Sequence, residues 1–111
     1  MIDNLVIVNS SLVNKRLKAT MTLKSGSKKT INFGSKNGFT YYDGADNEKR
    51  LNYLKRHKKN EDWNDILTAG ALSRWILWEH TSIQDIKKML GNRFKITNIK
   101  IVIPKNKKQL K

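Results

Sequence analysis

The sequence predicts a small α+β domain, with an antiparallel sheet packed against about three helices. Three observations point there. Residues 17–33 read as a hairpin with strict alternation, apolar positions recur at helical spacing from residue 46 to 91, and alternation returns at residues 99–103. The expected element order is β-β-β-α-α-α-β, with one domain over residues 1–104 and a flexible basic tail over 105–111.

The first strand is the β-prone run Leu5, Val6, Ile7 and Val8. In the second, Leu17, Ala19, Met21 and Leu23 share one face, while Lys18, Thr20, Thr22 and Lys24 take the other. Ser25-Gly26-Ser27 supplies the turn, and Ile31 and Phe33 continue the apolar face on a third strand, opposite Thr30 and Asn32. Gly34, Gly38 and Gly44 mark a looser stretch around Phe39, Tyr41 and Tyr42. Asp46 is the expected cap of a helix that turns Leu51 and Leu54 inward, with Tyr53 at the margin. A second helix is expected over residues 69–79, packing through Leu72, Trp75, Ile76 and Trp78. Ser82 and Asp85 have the spacing of a capping box for a third helix, with Ile83, Ile86, Met89 and Leu90 inward and Gly91 as its stop. The last strand carries Ile99, Ile101 and Ile103 alternating with Lys100 and Val102, and Pro104 ends it. It is expected beside the hairpin or the N-terminal run.

Charge narrows the function classes. The 111 residues contain 23 basic and nine acidic side chains, a formal charge of +14. Such an excess draws polyanions, and nucleic acid rewards fixed cations most because condensed counterions are released. The charge is not spread evenly. Lys49, Arg50, Lys55, Arg56, Lys58 and Lys59 fall within eleven residues that hold no carboxylate. Glu61, Asp62 and Asp65 then arrive together around Trp63. The expected nucleic-acid contacts are those six cations, extended by Lys87, Lys88 and Arg93. Beyond Asp85 the chain has nine basic residues and no acidic one. Phosphate contacts of this kind position a backbone without reading base sequence. Tyr42 and Trp63 are the candidate partner contacts. Adjacent Tyr41 and Tyr42 point to opposite sides of an extended backbone, so one joins the core and the other is offered outward.

Other classes find less support. The chain has no cysteine, which excludes disulfides, thiol catalysis and thiolate zinc sites. Gly34–Gly38, GSKNG, lacks the glycine-lysine-serine ending of a phosphate loop. His57 and Glu61 stand at i,i+4 with Asp62 and Asp65 nearby, a set that a metal-dependent nuclease would use. Ordinary ion pairs among so many lysines are the simpler expectation. No enzyme, metal or cofactor is therefore expected. MIDNLVIVNS lacks the basic start and apolar centre of a secretory leader, and no run is long enough to span a membrane, so neither secretion nor membrane insertion is expected. Monomer and dimer are both compatible with this composition.

The stretch KRHKKNEDWND, Lys55 to Asp65, followed by TAGALSRWILW, Thr68 to Trp78, resembles a small family of uncharacterised basic proteins from large double-stranded DNA viruses of eukaryotes. Residues 18–43 match that family's hairpin and aromatic pattern more loosely, and the basic C-terminal extension departs from it. The resemblance implies a viral DNA-associated or virion protein, working in a viral factory or the host nucleus or packaged in the particle. It carries no catalytic assignment. The leading expectation is a non-enzymatic nucleic-acid-binding protein, with double-stranded DNA favoured. The competing one is an interaction module whose basic face takes an acidic viral or host protein.

Overall fold

Alternation in the first 35 residues produces three consecutive strands, β1 (Ile2–Asn9), β2 (Lys15–Leu23) and β3 (Lys28–Ser35). The computed structural model describes residues 2–108. Three helices follow, α1 (Asn47–His57), α2 (Ala69–Leu77) and α3 (Ile83–Phe94), and then β4 (Asn98–Ile101). The fold is α+β, as expected, with one four-stranded sheet of order β3-β2-β1-β4. β2 is antiparallel to both neighbours, but β4 joins β1 in parallel. The sheet is thus mixed rather than wholly antiparallel. Its fourth strand arrives through a helical crossover, which returns the chain in the direction of β1.

Register divides the sheet into two chemically different faces. Leu5 pairs with Met21, Ile7 with Ala19, and Leu17 with Phe33. These side chains are buried and join Leu72, Ile76, Ile86 and Leu90 in the core. The alternate positions, Val6, Val8, Lys18, Thr20, Thr22, Lys28, Thr30 and Lys100, are part-exposed or exposed. The helices contact the sheet through α2 on β3 and α3 on β4, and they share the core with the apolar face. One face of the sheet is left without a helical layer, the arrangement in which polar residues alternate outward.

The caps locate the helices. Asp46 accepts from the Lys49 amide, Thr68 from Ala71 and Ser82 from Asp85. α2 stops at Leu77, two residues short of the expected end, which leaves Glu79 outside the helix. α3 does not stop at Gly91. It continues to Phe94, and Lys95 closes it in the left-handed region at φ 58°, donating its amide to the Gly91 carbonyl. A side chain there is strained, because its Cβ crowds the following carbonyl. Lys95→Gly is expected to raise the unfolding free energy by about 0.5–1 kcal/mol, net of the extra freedom glycine gives the unfolded chain. A higher urea midpoint at unchanged slope would show it.

A buried ion pair ties the C-terminal segment to the sheet. Arg16 makes two bonds to the Asp43 carboxylate, at 2.7 and 2.6 Å, and a third to the Pro104 carbonyl. Asp43 also accepts from the Thr40 amide and hydroxyl and from the Asn106 amide. Lys105 Nζ donates to the Tyr42 and Thr81 carbonyls, and the Asn106 side chain donates to Lys36 and Gly38. The first two residues of the expected tail are therefore anchored, since each finds backbone carbonyls within reach. Gln109–Lys111 lie outside the described residues.

Candidate nucleic-acid interface

α1 is built to show cations outward. Glu48 in its first turn and Lys55, Arg56 and His57 in its last complement the helix dipole. Tyr53 is its buried anchor, with its ring stacked on Trp78 at 4.2 Å and on His57 at 4.1 Å. Burial, the largest influence, pushes the Tyr53 hydroxyl far above its ordinary pKa, with the Glu61 carboxylate acting in the same direction. Leu51, expected inward, is 53% exposed, and Leu54 is half-buried. The helix is rotated so that Tyr53, which offers more stackable area, takes the inward position.

That rotation sorts the predicted cations. Lys49, Asn52, Lys55, Arg56 and Lys59 line a shallow groove of about 710 Å³. Positions 49, 52 and 56 lie three or four apart on α1, which aligns them on one stripe, and Lys59 extends it from the turn beyond His57. Neither they nor Lys55 has a salt-bridge partner among the described residues. Lys58 is exposed at the helix end, outside the groove lining. Arg50 turns the other way. Its Nε donates to the Trp78 carbonyl at 2.7 Å and its Nη2 to Glu79. A guanidinium held by two acceptors in the domain is withdrawn from the outer stripe. Its planar fork suits that anchoring better than an ammonium would.

Lys87 and Lys88 stand elsewhere, on α3. With Asn4, Val6, Asn98 and Lys100 they border a hollow of about 610 Å³ along the β1–β4 edge. Arg93 is drawn to Trp75, its guanidinium carbon 4.0 Å from the ring centroid.

The aromatic candidates are corrected in part. Tyr42 is 2% exposed, and its hydroxyl donates to the Ile103 carbonyl at 2.8 Å. It is a core residue, while Tyr41 is the part-exposed member of the pair, with Arg50 over its ring. Adjacency alone did not reveal which tyrosine would turn inward; the Tyr42 amide bond to the Leu77 carbonyl fixes that. Trp63 is half-buried and locks the acidic corner. Its indole donates to Glu61 at 2.8 Å, and its carbonyl accepts from the Trp75 indole at 2.6 Å.

The carboxylates of that corner face separate tasks. Glu61 also meets His57 Nδ1 at 2.9 Å, Asp62 accepts from the Asn64 amide, and Asp65 from the Leu67 amide. Among the described residues no three metal-ligating side chains converge. Nor does any helix of the described residues have the length and apolarity to cross a membrane.

Two structural groups escaped sequence reasoning. Arg74 is 8% exposed, lies against the Trp75 and Trp63 rings, and donates to Glu79 at 2.7 Å. Glu79 therefore receives both Arg74 and Arg50. Burial pushes its pKa up, but the two arginines outweigh that and hold it below the ordinary value. Asp43 behaves likewise: burial raises it, while the Arg16 bond and the Thr40 and Asn106 donors bring it below its usual range. The available signal was a cation inside the apolar run ALSRWILW, which calls for an internal partner.

"Uncharacterized protein L851" of Acanthamoeba polyphaga mimivirus is 37% identical over 83 residues, 69% of this chain and 83% of the relative. The chain belongs to the same family as that viral protein. A model described as "Family of unknown function (DUF5754)" matches residues 5–57, which run from β1 to the end of α1. That family match spans the sheet hairpin and the basic helix, rather than the Thr68–Trp78 stretch. No solved structure matches the chain.

Proposed function

We propose that this is a non-enzymatic viral nucleic-acid-binding protein that grips a phosphate backbone, double-stranded DNA above all, through the outer stripe of α1. The observation that carries this reading is the groove of Lys49, Asn52, Lys55, Arg56 and Lys59, which no carboxylate lines. Lys49, Lys55 and Arg56 stand on a capped helix and Lys59 in the turn that follows it, so their backbone is already ordered before binding, and each phosphate they neutralise releases counterions. Arg56 forks onto phosphate oxygens, and the lysines act as adjustable point charges. Asn52 adds a neutral donor that fits a phosphate or sugar oxygen. The mimivirus relative supports a viral setting, with packaging or genome organisation as the corresponding task.

The double variant Arg56→Gln, Lys59→Gln is expected to weaken binding to unrelated duplexes alike. The slope of log affinity against log salt should fall by about 2, at roughly 0.9 per lost phosphate contact. Fluorescence anisotropy across a salt series on folded protein measures both. Unchanged affinity in a folded variant sinks the assignment, and capture of an acidic protein without DNA affinity would replace it.

A further inference from the structure

We infer that the helix-free face of the sheet is a second phosphate-backbone surface, independent of α1, and that the protein therefore bridges two nucleic-acid segments. This inference rests on the nucleic-acid reading above and adds the number of strands engaged.

The register places three lysines on that face. Lys18 pairs with Val8 and Asn32, Lys28 with Thr22, and Lys100 with Val6. From strand spacing and residue rise, they form a triangle with sides of about 12–16 Å. That is far wider than one anion and suits a backbone track. Between them lie Thr20, Thr22, Thr30, Asn4 and Asn98, short hydroxyl and amide side chains that can donate to phosphate or sugar oxygens. The four strands contain a single carboxylate, Asp3, at the bulge that opens β1. Lys18, Lys28 and Lys100 have no salt-bridge partner among the described residues. The hollow at the β1–β4 edge continues this face toward Lys87 and Lys88.

This surface shares no residue with the α1 groove. It also points away from the helical layer to which α1 is fastened through Tyr53 on Trp78. Outward residues on an ordinary sheet of a solvated domain mix both charge signs; here Lys18, Lys28 and Lys100 stand among neutral neighbours with no carboxylate between them, which complements a polyanion. Two such surfaces on one small body make the second contact intermolecular, between separate duplexes or distant parts of one.

The test is a bridging assay with the full chain: a bead-tethered duplex captures a second, fluorescent duplex of unrelated sequence. Alongside it, affinity for one free duplex is measured. The wild type is expected to do both. Lys18→Gln, Lys28→Gln, Lys100→Gln together should cut bridging by about tenfold while single-duplex affinity through α1 changes by less than about threefold. Thr30→Glu, an exposed change on the same face, should act in the same direction and guards against a folding effect of the triple variant. Bridging that survives both variants overturns the inference. So does a wild type that binds a duplex without bridging, which would leave the α1 reading standing. A wild type that binds no duplex overturns both.

Discussion

Asp43→Asn is expected to lower the unfolding free energy by about 3–5 kcal/mol at neutral pH, because it leaves the buried Arg16 guanidinium without its counter-charge. The side chains of this pair are 5% and 0% exposed, so solvent cannot take over the lost interaction. Asp43 also gathers Thr40 and Asn106, so the substitution loosens the loop before α1 and the segment after β4 together. The difference between variant and wild type should depend on pH. The folded-state pKa of Asp43 lies below the ordinary 3.8, so the unfolded chain takes up the proton first. Stability from the pair is fully present above that ordinary value and is lost as pH falls through the lower, folded one. The gap between the two proteins should accordingly narrow in acid. Urea melts at a series of pH values measure this, and a gap that stays constant into strong acid would show that the charge pair is not its source.

Glu79→Gln is expected to cost about 2–3 kcal/mol. The figure is smaller than for Asp43 because the Glu79 side chain is 24% exposed. Its carboxylate neutralises Arg74, which is buried within α2, donates from Nη1 and leaves its Nε without a hydrogen-bond partner, and it receives Arg50 from α1. The variant should therefore loosen α1 against α2, seen as faster amide exchange in α1 than in β1 and β2. A companion substitution separates anchoring from ligand contact. Arg50→Gln should lower stability by about 1–2 kcal/mol, whereas Lys55→Gln, on the exposed stripe, should stay within about 0.5 kcal/mol. Equal, negligible effects of the two would return Arg50 to the outer stripe.

The legible parts of the fold are those coded by local periodicity. The hairpin shows because a two-residue period survives any tertiary context that buries one face. Asp46 and Ser82 show because caps satisfy amides within three residues of themselves. The end of α3 misled for a related reason. Gly91 is a good stop by conformation, but Lys95 takes the left-handed position and gives α3 another turn. The candidate site was legible as a cluster and not as an orientation. Helical spacing places Arg50 and Leu51 beside their neighbours, yet whether either faces in or out depends on what the segment just after α2 offers. It offers the Trp78 ring and the Glu79 carboxylate, so Tyr53 and Arg50 turn inward and Leu51 outward. Tyr42 turns inward for the same reason, because its partners, Leu77 and Ile103, lie 35 and 61 residues away.

Element order, the apolar face of each strand, the helix caps and the density of cations around α1 are all legible in local sequence. All of these arise between residues a few positions apart, where backbone geometry and side-chain chemistry act directly. The parallel pairing of β4 with β1, the meeting of Arg16 and Asp43, the anchoring of Arg50 and the helix-free sheet face come instead from the folded arrangement. Those outcomes depend on burial and on partners far apart in the chain. A buried charge must find its counter-charge, and a strand pairs where the crossover delivers it, however many residues intervene.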